Sequence, residues 1–425
     1  MKAYHQLSKD ELTKLKIELE AQYQDIQSQG LSLDMSRGKP ASAQLDLAQG
    51  MLSVLDENSV VNSAAGVDCR NYGILDGIPE AKQLMAEMAE VKAENVIVMG
   101  NSSLNIMFDT VSRGMTKGYL GETPWCKLDK VKFLCPVPGY DRHFGVTEFF
   151  DIEMITVPML STGPDMDQVE KLVAEDASIK GIWCVPKYSN PQGITYSDET
   201  VRRMAALKPA AADFRIFWDN AYCVHHLYEE QDQLLNILEE CEKAGNPDMA
   251  FVFFSTSKVS FTGAGIAAIA SSKANLDDYK KLLTIQTIGH DKVNQLRHVK
   301  FFKDGAGIAA HMKKHAEIMR PKFEAVIALL EKELGGLEIG SWIKPNGGYF
   351  ISFDALDGCA GQIVQKTKEA GVIMTGAGAT YPYGQDPKDS NIRIAPTVPT
   401  MEELLQAAEI FILSVKLVSI DKLLA

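Results

Sequence analysis

Seven short apolar runs follow one another between Val96 and Ala270. Within each run the apolar residues are continuous rather than alternating with polar ones, which is typical of strands buried on both faces. Segments with helical periodicity, such as Pro79–Val91 and Asp165–Glu175, accompany them. Strands that alternate with helices predict an α/β fold around a mostly parallel, seven-stranded sheet. The runs are Val96–Met99, Val131–Cys135, Met154–Pro158, Gly181–Val185, Phe214–Trp218, Met249–Phe254 and Gly265–Ala270.

Both ends of the chain have a different pattern. An amphipathic helix opens the sequence, with Ser8 and Glu11 spaced as a capping box. Toward the other end, long helical segments give way to short apolar runs that predict further strands, at Gly348–Phe353 and Ile392–Ala395. We therefore expect a large domain and a smaller α+β domain built from both chain ends, over residues 46–318 and residues 1–45 with 319–425.

Composition and charge narrow the class of protein. Hydrophobic residues make up 46% of the chain and charged residues 23%, as in ordinary globular proteins. A net charge of -13 argues against a nucleic-acid-binding surface. No apolar run reaches the roughly 18–20 residues of a membrane-spanning helix, and the first residues do not resemble a secretory signal. For the same reason we expect no membrane partner. The cysteines contain no Cys-x-x-Cys pair, so we expect no metal site, and their scattered positions fit a cytoplasmic location.

Three polar residues follow apolar runs in the order Asn190, Asp219 and Lys258. Each alone has an ordinary explanation, as part of a turn, a helix cap or a solvated lysine. Because all three come after predicted strands, we expect them at the edge of the sheet where open α/β folds bind ligands. Together they provide an amide, a carboxylate and an amine, which are the groups that a pyridoxal ring requires.

These motifs, Ser189–Gly193, Asp219–Tyr222 and Ser255–Lys258, followed by Arg393, resemble the class I aminotransferases of fold type I, which use pyridoxal 5′-phosphate (PLP). The resemblance covers nearly the whole chain. The segments GNSSLNIMFD, NYGILDG and STSKVSFTGAG are most similar to bacterial aspartate aminotransferases that resemble the aminotransferase domain of MocR-type regulators. The resemblance implies that an amino group is transferred from an L-amino acid to 2-oxoglutarate or oxaloacetate by a ping-pong Schiff-base mechanism. The expected L-amino acid is aspartate or glutamate.

The resemblance also implies roles for single residues. Lys258 is similar to the lysine that carries PLP and shuttles the proton, and Asp219 to the partner of the pyridine nitrogen. Asn190 and Tyr222 resemble the donors to the ring oxygen, and Tyr140 resembles the aromatic residue that stacks on the ring. A helix N-terminus and nearby hydroxyls are expected to bind the phosphate, and the candidates are Asn101, Ser102, Ser103, Ser255 and Ser257.

The substrate is expected to contact the smaller domain. Arg393 resembles the arginine that grips the α-carboxylate, beside Asn190, because a planar guanidinium binds a carboxylate with two parallel hydrogen bonds. Gly38 resembles the glycine at the substrate edge of that domain. Its neighbour Arg37 is our candidate for a second substrate carboxylate, with two cations in reserve, Lys292 and Arg297.

Two further features concern the phosphate. Tyr72 resembles the tyrosine that reaches the phosphate of a neighbouring subunit, which implies a homodimer. The family usually has an arginine about eight residues after the lysine, but here that stretch ends at Ile266 and contains no cation. We therefore expect backbone dipoles and hydroxyls, or a cation from elsewhere, to balance the phosphate charge.

Other functions remain open at this point, since a fold does not determine a reaction. The same scaffold could support a β-lyase, decarboxylase or racemase, or an aminotransferase of broad or alanine-type specificity. A non-enzymatic regulator of the MocR type is a further alternative. Such a regulator needs an N-terminal DNA-binding module, and the segment before Asp34 is too short and the chain too acidic for one.

Overall fold

Thirteen strands form three sheets in the computed structural model, which describes residues 2–425. The strands are β1 (Leu33–Asp34), β2 (Val96–Val98), β3 (Lys132–Val137), β4 (Glu153–Leu160), β5 (Gly163–Pro164), β6 (Ile179–Cys184), β7 (Arg215–Asp219), β8 (Ala250–Ser255), β9 (Ala267–Ala270), β10 (Gly340–Trp342), β11 (Ile351–Ala355), β12 (Val372–Ile373) and β13 (Asn391–Ile394). The large sheet has the spatial order β2-β9-β8-β7-β6-β3-β4-β5. The two small sheets have the orders β10-β11-β13 and β1-β12.

The large sheet is mostly parallel. Strands β4, β3, β6, β7 and β8 run in one direction, while β9 is antiparallel to both β8 and β2. All seven expected strands are present, so the predicted α/β class is confirmed. The eighth strand, β5, was not expected. It contributes two residues that pair antiparallel with the end of β4, too few to leave an apolar run in the sequence.

Thirteen α-helices surround these sheets in the described part of the chain. They are α1 (Lys9–Ser28), α2 (Ser42–Asp46), α3 (Pro79–Ala89), α4 (Ser103–Lys117), α5 (Asp141–Phe149), α6 (Met166–Glu175), α7 (Asp198–Ala205), α8 (Ile237–Lys243), α9 (Lys273–Gln286), α10 (Lys292–Phe302), α11 (Gly305–Leu334), α12 (Ala360–Glu369) and α13 (Met401–Leu424). The predicted capping box starts α1: Ser8 Oγ accepts from the backbone N–H of Glu11, and the Glu11 carboxylate accepts from that of Ser8. Among these residues, no helix is both long and apolar enough to cross a membrane.

Both faces of the large sheet are buried, which explains the continuous apolar runs. Successive side chains of a strand point to opposite faces. Phe133 of β3 and Phe217 of β7 therefore belong to one core cluster, while Leu134 and Ile216 belong to another, and all four are fully buried. Burying each such side chain stabilises the fold by about 1.5–3 kcal/mol.

A third core lies beneath the small sheets and joins the two ends of the chain. Leu12 and Tyr23 of α1 pack in the same cluster as Phe411 of α13 and Phe353 of β11. Near the chain start, β1 pairs in parallel with β12, so residues from both ends build this part. The arrangement agrees with a smaller α+β domain, and the boundaries 46–318, 1–45 and 319–425 stay a prediction.

Candidate active site

A cavity of about 220 Å³ opens at the carboxyl ends of the central strands. Most of the residues around it come from the carboxyl ends of β2, β3, β6, β7 and β8 and from the loops that directly follow them, because parallel strands direct their carboxyl ends to one edge of the sheet. The residues lining it include Ser102, Ser103, Tyr140, Asn190, Asp219, Tyr222, Ser255, Ser257, Lys258 and Thr262. Nine of these were candidates from the sequence, and the fold brings them together.

Lys258 lies in the turn after β8 and is the only cation among the described residues that line the cavity. Its Nζ is 5.1 Å from the ring centroid of Tyr222 and 6.0 Å from that of Tyr349. Burial lowers the pKa of Lys258, and the negative charge of Asp219 opposes that shift. A buried amine with a lowered pKa is neutral in a larger fraction of molecules near neutral pH than an exposed lysine is, so its lone pair is more often available.

Asp219 is the last residue of β7 and is buried. His143 of α5 donates from Nε2 to its Oδ2 over 2.9 Å, and the imidazole is stacked on Trp183 at 4.4 Å between ring centroids. The other carboxylate oxygen, Oδ1, is buried and has no hydrogen-bond partner in the described chain. A buried carboxylate oxygen without a donor is costly, so the site is shaped for a ligand that brings one.

Arg393 closes the side of the site that belongs to the small sheets. Its Nη1 donates to Asn190 Oδ1 over 3.2 Å and to Asp141 Oδ1 over 3.0 Å. The guanidinium also lies over the ring of Phe350, 4.7 Å from the centroid. Behind that ring is Gly38, where a Cβ would come within 2.2 Å of the Phe350 ring. Gly38 thus leaves the space that Phe350 needs in order to support Arg393.

The opposite end of the cavity is built from hydroxyls and a helix start. Ser102 and Ser103 begin α4, whose free N–H groups and dipole favour an anion. Ser255 donates to Ser257, and Ser257 donates to the backbone carbonyl of Asn101 over 3.1 Å. The Asn101 side chain is exposed and donates to the Gly263 carbonyl, and this candidate does not line the cavity.

Two candidates lie away from the cavity wall within one chain. Arg37 is exposed, on a segment held to the small-sheet side by the Thr375 hydroxyl, which donates to the Ser36 carbonyl over 2.9 Å. Tyr72 is 78% exposed on the large-sheet side. Neither contacts Lys258 or Arg393 in the chain by itself, and their roles stay predictions.

Four residues at the site were missed from the sequence: Asp141, His143, Thr262 and Phe350. Asp141 and His143 come one and three residues after Tyr140. Two ionisable residues so close to a predicted ring-stacking residue could have indicated their place at the site. Thr262 is the hydroxyl of the stretch that lacks the expected arginine, and it lines the cavity. Phe350 looked like an ordinary core residue, because its role depends on a contact between distant parts of the chain.

These groups fit PLP. A buried amine, a carboxylate oxygen lacking a donor and an anion-binding end occupy one cavity, as the aldehyde, the protonated ring nitrogen and the phosphate require. The identification of such a site rests on roles and placement rather than on any single residue.

Comparison with known proteins gives the same result. The model of the aspartate amino-transferase family matches residues 7–425. An aspartate aminotransferase of Corynebacterium glutamicum is 44% identical over 388 residues, which cover 91% of this chain and 89% of that protein. The crystal structure of an aspartate transaminase from the same species has a TM-score of 0.97 and 41% identity, with 99% of both chains covered. An α-aminoadipate aminotransferase of Thermus thermophilus, complexed with N-(5′-phosphopyridoxyl)-L-leucine, shares the fold at a TM-score of 0.73 and 18% identity, covering 99% of this chain and 97% of its own.

The fold and the site together define a PLP-dependent transferase of fold type I. The chain belongs to the aspartate aminotransferase family, and it is a transaminase whose cofactor is PLP.

The contact between His143 and Asp219 gives a first test. His143→Ala should weaken PLP binding about tenfold to a hundredfold, the range for one hydrogen bond to a charged group. The measurement is a PLP titration of the apoprotein, with the thermal midpoint recorded for each variant. His5→Ala is the matched control, because His5 is exposed and pairs only with Glu338 at the surface. Unchanged PLP affinity in His143→Ala would show that Asp219 does not depend on this imidazole.

Proposed function

We propose that the protein transfers the amino group of aspartate or glutamate to 2-oxoglutarate or oxaloacetate. The observation that carries the proposal is the cavity lined by Lys258 and by Asp219 with its unpartnered oxygen, beside which Arg393 donates to the cavity residue Asn190. The dicarboxylic preference draws support from the aspartate aminotransferase of Corynebacterium glutamicum at 44% identity. Broad or alanine-type specificity is the alternative that a substrate screen must exclude.

Each residue of the cavity then has a definite task. When bound, PLP supplies an electron-withdrawing ring that stabilises negative charge on the substrate α-carbon. Asp219 would hold a proton at the ring nitrogen through its free Oδ1. Asn190 and Tyr222 would donate to the ring oxygen, and Tyr140 would provide an aromatic face for the ring. The amine of Lys258 takes up the proton that leaves the α-carbon, and its lowered pKa makes the neutral, basic form more accessible near neutral pH.

The substrate is oriented by cations on the small-sheet side. Arg393 binds the α-carboxylate, and Phe350 keeps the guanidinium plane in place. Arg37 binds the second carboxylate in this proposal. Its segment lies beside the site, because Gly38 contacts Phe350 and Phe350 contacts Arg393. Lys292 and Arg297 remain the reserve candidates for that role.

A homodimer is part of the same proposal. Exposed apolar side chains gather on the large-sheet side, where Tyr72 (78%), Ile285 (86%) and Ile288 (63%) are unusually accessible. They are neighbours, because a Cβ on Gly289 would come within 2.8 Å of the Gly73 carbonyl oxygen. Exposed apolar patches of this kind mark interfaces, and a two-fold dimer would bring Tyr72 toward the phosphate end of the partner's cavity. We also propose a cytoplasmic location, since the cysteines are all free.

Lys258 should carry the cofactor covalently. Borohydride reduction of the yellow holoenzyme followed by peptide mapping should place the label on Lys258. Lys258→Ala should lose transamination by several orders of magnitude, because the amine that exchanges with substrate and moves the proton is removed. Lys273→Ala, at an exposed lysine after β9, should behave as wild type. A label on any other lysine contradicts the assignment.

The dimer can be tested through Tyr72. Tyr72→Phe should release PLP several-fold to tenfold faster on dialysis, since one hydrogen bond to a charged group is lost. Tyr228→Phe, which removes a hydroxyl from a separate cleft, serves as the control. Sedimentation should give a dimer at assay concentration. A fully active monomer would rule out both the dimer and the shared tyrosine.

The substrate preference is tested through Arg37. Aspartate or glutamate with 2-oxoglutarate should be preferred over alanine and aromatic donors. Arg37→Ala should lower kcat/KM about tenfold or more for dicarboxylic donors, and much less for alanine, because only the former place a second carboxylate near this cation. Lys39→Ala, two residues along the same segment and also exposed, is the control. Equal losses for both donor classes would remove Arg37 from this role, and a wild-type preference for apolar donors would contradict the aspartate assignment.

A further inference from the structure

We propose that Asp141 is a resident carboxylate that holds Arg393 in the empty site and competes there with the α-carboxylate of the substrate. The inference rests on the proposed role of Arg393 as the α-carboxylate receptor. It concerns the strength of substrate binding, and it assigns a specific task to a residue in the first turn of α5.

The hydrogen bonds of Arg393 leave few groups free. Both N–H groups of Nη1 are engaged, one by Asp141 Oδ1 over 3.0 Å and one by Asn190 Oδ1 over 3.2 Å. Among the described residues, Nη2 donates only to the Thr375 hydroxyl, over the long distance of 3.4 Å. Nε is buried and has no partner in the described chain.

An incoming carboxylate therefore meets an occupied receptor. A carboxylate binds a guanidinium most strongly through two parallel N–H groups. In this proposal the substrate carboxylate uses the pair formed by Nη1 and Nη2 at the end of the guanidinium. One partner of Nη1 must leave before a substrate carboxylate can use that end, so Asp141 or Asn190 has to give way.

Asp141 is the partner that can leave. Asn190 is buried, in the loop after β6, and its amide is also needed at the ring oxygen. The Asp141 side chain is 34% exposed and sits at the start of a helix, where rotation carries the carboxylate into solvent without breaking backbone hydrogen bonds. The helix N-terminus still favours its negative charge after it has turned away.

The two carboxylates also repel each other. Arg393 is buried, so a counter-charge beside it stabilises the empty site. Once the substrate supplies that charge, Asp141 is a second anion close to the first, and part of the binding energy is used to displace it. Asp141 thus balances the positive charge of the Arg393 guanidinium and keeps it oriented between turnovers. The same carboxylate weakens the binding of the substrate carboxylate.

The test measures the binding of propionate and of succinate to holoenzyme by following the cofactor absorbance, so no turnover is needed. Asp141→Asn should bind both carboxylates about three- to tenfold more tightly than wild type, the scale of a partly exposed ion pair. Asp141→Glu, which keeps the charge, should stay close to wild type. Glu148→Gln makes the same charge change at an exposed position of α5 and should leave both dissociation constants unchanged.

Unchanged or weaker binding in Asp141→Asn overturns the proposal, because a residue that merely positions Arg393 would weaken the binding when removed. Asp141→Ala is a second variant for the case in which the asparagine side chain takes up a new contact, and it should tighten binding in the same direction. Arg393→Gln separates the two hypotheses. Loss of propionate binding in Arg393→Gln supports its role as receptor, whereas intact binding would overturn the receptor role and the Asp141 proposal together.

Discussion

The active-site arrangement depends on one geometric constraint, which is that parallel strands direct their carboxyl ends to the same edge of a sheet. Asp219 ends β7, Lys258 follows β8 and Asn190 follows β6, and these strands are direct neighbours. Residues that are far apart in sequence therefore line the same cavity. Because both faces of the sheet are filled with large apolar side chains, this edge is held rigidly.

The charges at this edge then have to be balanced away from water. Lys258, Asp219 and Arg393 are each enclosed, and each has only partial compensation within the chain. His143 satisfies one oxygen of Asp219 and leaves the other for a ligand. Unsatisfied polar groups of this kind are rare in protein interiors because they destabilise the fold. The unpartnered Asp219 Oδ1 and the buried amine of Lys258 line one cavity, so stability is given up here for the binding of a charged, hydrogen-bonding ligand.

Much of this organisation could be predicted from the sequence, because strands buried on both faces leave continuous apolar runs and the chemical groups follow those runs directly. The resemblance then connected Lys258, Asp219 and Arg393 to the roles that we propose for them. The strand β5 escaped prediction because two residues carry no periodicity. The contacts of Asp141 with Arg393 and of Phe350 with Gly38 join segments hundreds of residues apart, and Phe350, just before β11, contacts Arg393 on the paired strand β13 of a small sheet. No local pattern encodes such pairs.

The fold also explains the absent phosphate arginine. The position about eight residues after Lys258 is Ile266, which is 1% exposed and packs in the core cluster on one face of the sheet. Its backbone N–H donates to Thr256 Oγ1 over 2.9 Å, and a Cβ on the neighbouring Gly265 would come within 2.8 Å of the same hydroxyl. The chain therefore runs close to the Thr256 turn, and the side chain at position 266 packs in the core and does not line the cavity. An anion at this end of the cavity instead meets the α4 N-terminus and the hydroxyls of serine and threonine, which are neutral donors. Neutral donors bind a dianion less strongly than a guanidinium does. Retention of the cofactor in this enzyme should consequently depend more on contacts outside the phosphate than it would in a family member with the arginine.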